Sequence, residues 1–180
     1  MIFGNKEKLA LVMNPIGYIN GMNDYDCLCG FFINDNDYIS DVSVMFNVQR
    51  QSIIEGALNH IIDNSDYYYM NLDECFKSML SYRYLNFVAE SEGEYNDKDW
   101  VNYDYNEFVY SANLESSLFG EDRYDLFCIG NKDEVRLISY KIANTYFSLK
   151  DLKQYEINEC FIKKNELEKI VYEIEHAAFN

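Results

Sequence analysis

The sequence predicts an α+β fold: a mainly antiparallel sheet with about three amphipathic helices packed on it, formed as a single domain over residues 1–180. Three observations carry that prediction. Short apolar runs separated by turn residues recur at both ends of the chain. Two longer segments, 44–63 and about 165–178, instead repeat their apolar residues every three or four positions. No Gly/Ser-rich linker and no internal repeat divides the chain.

Residues 2–13 read as an opening strand, closed by Asn14-Pro15 and a loop holding Gly17 and Gly21. The stretch YDCLCGFFIN (25–34) is apolar enough for a central strand. It runs into Asn34-Asp35-Asn36-Asp37, whose short side chains satisfy nearby amides and tolerate positive φ. Tyr38-Ile39 therefore starts the return strand of a hairpin.

Over 44–63 the period changes. Ile53, Ile54, Ala57, Leu58, Ile61 and Ile62 fall on one helical stripe, with Gln49, Gln51, Glu55 and Asn59 elsewhere. Gly56 costs about 1 kcal/mol relative to Ala. Burying one large apolar side chain returns about 1.5–3 kcal/mol, so the stripe wins. A second helix begins near Asn71, which can cap it while Glu74 reaches back in a capping box. Its buried face is Leu72, Cys75, Phe76, Met79 and Leu80.

Residues 101–112 alternate as a strand does, with Val101, Tyr103 and Tyr105 on one face, and 114–123 reads as a connection. Strands at 124–129 and 134–142 flank the turn Gly130-Asn131-Lys132-Asp133, and a further strand fits 154–162. A closing helix lines up Leu167, Ile170, Val171, Ile174 and Ala178, with Asn165 and Glu168 as its cap.

Net charge is −16, from 31 acidic and 15 basic residues. Phosphate backbones and anionic membranes are bound by Lys and Arg, so this balance argues against nucleic acid and membrane as partners. It speeds encounter with basic proteins, although solubility alone also accounts for an acidic surface. No signal-peptide order and no long apolar span is present, and the five cysteines are an odd number. A cytoplasmic protein with reduced thiols is the expectation.

No catalytic set stands out. Phosphate-binding glycine loops, G-x-S-x-G and H-E-x-x-H are absent. His60 and His176 sit near the C-terminal ends of predicted helices, where a cationic or hydrogen-bonding role explains them. Cys27 and Cys29 share a strand face, but no second half-site of metal-ligand spacing follows, so buried thiols are the simpler reading. Asp35, Asp37 and Asp41 echo a calcium loop, yet Ser40 stands where the glycine belongs and Phe46 where the bidentate Glu does. Carboxylate pairs are too abundant to mark an acid and a base. Neither an enzyme, a metal nor a cofactor is expected.

Several segments do resemble a known family. Met1-Ile2-Phe3-Gly4, Phe32-Ile33-Asn34 and ISDVSVMFNVQRQSIIEGAL (39–58) resemble immunity protein family forty-two of the bacterial polymorphic-toxin systems. RYDLFCIGNKDEVRLISYKI (123–142) and CFIKKNELEKIVYEIEHAA (160–178) resemble its later strands and closing helix. Two departures are visible. Where the family usually carries Trp-Ile-Asn-Gly this chain has Phe32-Ile33-Asn34-Asp35, and the Trp often found in the later strand is missing, Trp100 being the sole Trp. The resemblance covers residues 1–62 and 123–178. It implies a non-enzymatic inhibitor that binds the toxin domain delivered by a neighbouring cell or made by the cell itself, the toxin being encoded nearby.

The resemblance does not reach EGEYNDKDWVNYDYNEF (92–108), which holds six carboxylates, five aromatic rings and one cation, Lys98. Glu92, Glu94, Asp97, Asp99 and Asp104 can steer a basic toxin, and Tyr95 and Trp100 can anchor it. Tyr residues alternating on a strand are also common on a sheet face, and acidic loops are commonly just solvated. Tyr67-Tyr68-Tyr69 beside Asp63 and Asp66 is a second candidate patch. The competing function is an acidic nucleic-acid mimic that inhibits a DNA-binding protein or nuclease.

Overall fold

A computed structural model describes residues 1–59, 61, 63–80, 124–142, 153 and 155–177. The strand predicted at 101–112 lies outside these residues, as does the whole of 81–123.

Four antiparallel strands form the first sheet in sequential order: β1 (Ile2–Asn5), β2 (Leu9–Ile19), β3 (Asp24–Ile33) and β4 (Asn36–Met45). The expected opening strand is therefore two strands, folded back at Lys6–Lys8, and β2 runs on through Pro15 to Ile19. Proline survives there because β1 pairs only with Leu9–Val12. Met13 still bonds Met1, but no described strand pairs with that edge of β2 at Pro15, so among the described residues its missing N–H breaks no ladder bond, and the register with β3 slips between Pro15 and Gly17. The hairpin turn is as the Asx run predicts. Asn34 and Asp35 take φ of 50° and 64°, and Ile33 pairs with Asn36.

Helix α1 (Phe46–Asn59) follows β4 directly, and among its described residues Phe46 and Ile53 are buried in the core. Its first amides are capped from another strand: the Asp24 carboxylate accepts from Asn47 N–H at 3.1 Å. Then come a one-and-a-half-turn helix, α2 (Ser65–Tyr69), which the sequence pattern did not announce, and α3, described over 72–80. Asn71 caps α3 by accepting from Asp73 N–H at 3.0 Å, and Cys75, Phe76, Met79 and Leu80 are buried as predicted.

The second sheet is β5 (Tyr124–Asn131), β6 (Glu134–Ile142) and β7 (Tyr155–Lys163), again antiparallel and in order. Both of its faces are covered, which explains the unbroken apolar run Leu126-Phe127-Cys128-Ile129. Leu126, Cys128, Val135, Leu137, Cys160 and Ile162 face a core shared with the first sheet, α1 and the closing helix α4 (Lys164–Glu175). Phe127, Ile129, Ile138, Tyr140 and Tyr155 face a second core built with α2 and α3. The α+β, antiparallel class expected from the sequence is the class observed.

The seam between the sheets is polar where the β3–β4 hairpin meets β7. Asn34 donates to the Glu159 carbonyl at 2.8 Å, Asn36 to the Asn158 side chain at 3.0 Å, and Asn158 to the Tyr38 hydroxyl at 2.6 Å. Helix α4 buries Leu167, Ile170, Val171 and Ile174 of the expected stripe, and Ala178 lies outside the described residues. Its cap sits two residues earlier than Asn165/Glu168: Glu166 accepts from Lys163 N–H at 3.1 Å.

Candidate functional site

The residues proposed for partner binding, Glu92, Glu94, Tyr95, Asp97, Asp99, Trp100 and Asp104, all lie outside the described residues. The second aromatic patch does not, and the fold makes it a defined surface.

Asn64 starts the patch. Its backbone N–H donates to the Gly130 carbonyl of β5 at 2.9 Å, and its side chain caps α2 by accepting from Tyr67 N–H at 3.2 Å. Asp63 forms an isolated bridge to Gly130, and its carboxylate takes Lys164 Nζ at 2.7 Å. At the other end, the last carbonyls of this short helix have no helical partner of their own. Arg136, projecting from β6, supplies one. Its Nη1 donates to the carbonyls of Tyr67, Tyr68 and Met70 at 2.7, 3.1 and 2.7 Å, while Nε reaches Glu159 Oε1 on β7 at 2.6 Å. The guanidinium side chain is only 3% exposed. A cation at a helix C-terminus also suits the helix dipole.

Held this way, α2 presents a ridge of rings. Tyr68 points inward and is buried, with its ring edge-on to Tyr69 at 5.0 Å and to Phe161 of β7 at 5.7 Å. Its hydroxyl donates to Glu134 Oε2 at 2.9 Å; burial, then that carboxylate, push its pKa up to about 12. Tyr69 and Phe161 flank it at 74% and 49% exposure. The Tyr69 hydroxyl accepts from Asn131 at 2.9 Å, which fixes that ring's far end. Fully burying such a side chain is worth about 1.5–3 kcal/mol, so two rings left in water on a pinned helix are unused binding area.

Charges rim the ridge. Lys163 Nζ meets Glu134 Oε1 at 2.5 Å, which holds the Glu134 carboxyl below its ordinary range and raises the lysine. Asp66 is exposed in the first turn of α2, and Asp133 sits in the β5–β6 turn. A separate depression of about 300 Å³ between the β1–β2 turn and α4 is floored by Leu9 and Ile162. Its charges are engaged in two ion pairs, Lys8–Glu166 at 2.9 Å and Lys169–Glu173 at 3.8 Å, and no thiol, hydroxyl or imidazole lines it. All five cysteines are buried and unbridged, Cys29 donating to Cys27 sulfur at 3.7 Å. Among the described residues no group of three or more His, Cys, Asp or Glu is placed to hold a metal, and no helix is long and apolar enough to cross a membrane.

The family model of Immunity protein 42 matches residues 1–177. The chain belongs to that family. The match runs on through the middle of the chain, including 92–108, which the resemblance read from the ends alone had left out. In structure this Immunity protein 42 member is similar to CdiI from Burkholderia dolosa, with a TM-score of 0.67 and 12% identity over 97% of this chain and 98% of that one. At that identity the likeness speaks for the fold. No curated protein sequence matches the chain.

Sequence reasoning named Tyr67–Tyr69, Asp63 and Asp66 but missed Phe161, Glu134 and Arg136, which join them from two strands over 60 residues away. The one available signal was Arg136 itself, a charge set between the apolar residues Val135 and Leu137.

Proposed function

We propose that this chain confers immunity by binding a cognate toxin domain and occluding it directly, in the cytoplasm and within a contact-dependent inhibition system. It works as a binding protein rather than an enzyme, with no cofactor and with neither nucleic acid nor membrane as its partner. Its partner is a basic toxin domain encoded nearby. Membership of Immunity protein 42 supports the toxin-neutralising role. The charge distribution carries the finer reading: residues 81–123 hold ten of the 31 acidic residues against three of the 15 basic ones. Within them Glu92, Glu94, Asp97, Asp99 and Asp104 steer the toxin's basic face, and Tyr95 and Trp100 anchor it.

The test is co-expression with the toxin domain encoded beside this chain, followed by binding measured across a salt series. Wild type should protect the cells and form a stoichiometric complex. Asp97→Lys with Asp99→Lys should slow association and flatten its salt dependence. Unchanged binding by that variant at low salt would remove 92–108 from the interface. A wild-type chain that instead binds several unrelated DNA-binding proteins would replace this reading with the nucleic-acid mimic.

A further inference from the structure

We propose that the ridge formed by Tyr69 and Phe161 is a second anchor point on the toxin, and that its occupant is a lysine or arginine side chain of the toxin's basic face. This rests on the immunity reading above and adds to it a place and a chemistry. Three observations carry it. Among the described residues the two most exposed rings around α2 stand at 74% and 49% exposure on either side of buried Tyr68, so each leaves ring area for a partner. A carboxylate lies at their foot: Glu134 holds Tyr68 at 2.9 Å and Lys163 at 2.5 Å and stays half exposed, each oxygen keeping a lone pair for an incoming donor. And the ridge is rigid before anything binds, because Arg136 fixes three carbonyls of the 67–70 segment and Asn131 fixes the Tyr69 hydroxyl. A pre-ordered ring loses little entropy on binding.

Charge selects the occupant. Ring faces attract cations, and a chain carrying −16 draws basic surfaces towards itself. An aliphatic or acidic side chain would use the ring area but not the ring field or Glu134. The labour is then divided between segments: the acidic middle of the chain governs approach, and the ridge governs departure.

The experiment compares paired variants against the purified cognate toxin domain by surface-immobilised kinetics. Tyr69→Leu with Phe161→Leu keeps apolar area but removes the aromatic faces, and circular dichroism checks that it is folded. The expected result is a Kd weakened at least ~10-fold through a faster off-rate, with an unchanged salt slope. Phe161→Tyr paired with the wild-type Tyr69, which keeps both ring faces and the Asn131 bond, should bind within about threefold of wild type. Leu variants that bind as wild type does would overturn the proposal, and so would equal losses from both pairs. If the wild-type chain itself fails to bind the toxin, the immunity reading falls first, and the ridge proposal with it.

Discussion

Arg136 on β6 and Glu159 on β7 form a 2.6 Å ion pair whose cation is almost completely sealed from water. The same guanidinium closes the C-terminal end of α2, so one side chain ties two strands to the segment that carries the aromatic ridge. Removing it takes a charged donor from three carbonyls and a half-buried carboxylate.

Arg136→Met is therefore expected to cost about 3–5 kcal/mol, the range for breaking a buried pair from one side. Arg136→Lys should recover only part of this, since an ammonium cannot serve the strand and the helix end in a fixed fork. Urea midpoints measure both. A loss below about 1 kcal/mol for Arg136→Met would show that the guanidinium does not hold α2.

Lys8 on the β1–β2 turn meets Glu166 at the start of α4, joining the two ends of the chain. The Lys8 ammonium first, then the Lys163 amide, hold the Glu166 carboxyl below its ordinary value of 4.5. A depressed folded pKa contributes stability that is present above the unfolded value and is lost as pH falls through the folded one. Between about pH 5 and about pH 3, wild type should lose more stability than Glu166→Gln, and added salt should shrink the difference. Thermal melts over that range decide it; parallel acid limbs would mean the pair contributes nothing.

Two glycines with positive φ separate backbone strain from crowding. Gly21, at φ +91°, has nothing within 4 Å of where a Cβ would stand. Gly4, at φ +101°, would place a Cβ 2.5 Å from the Leu9 carbonyl and 2.7 Å from Ile170 Cδ1. Gly21→Ala should cost about 1–2 kcal/mol, the backbone cost alone. Gly4→Ala should cost a further ~1–3 kcal/mol for the overlap with the Leu9 carbonyl and with Ile170. For a chain of this length, each kcal/mol lowers Tm by about 2–4 °C. Equal Tm values for the two variants would contradict the close approach of Gly4 to the Leu9 carbonyl and Ile170.

What the sequence determined by itself was local. The Asn34-Asp35 turn, the two-faced apolar run of β5 and the stripe of α4 are each fixed by a few neighbouring residues, so alternation, period and Asx chemistry reveal them. The immunity family was legible too, because its motifs sit in those same elements. What only the tertiary structure decided were relations across the chain. Pro15 belongs to a strand because β1 stops short of it, and α1 is capped by Asp24, which stands 23 residues earlier. The ridge exists because Arg136, Glu134 and Phe161 arrive from strands far along the sequence to meet Tyr67–Tyr69. Such contacts depend on which strands lie side by side, a matter of packing that no local window of residues contains.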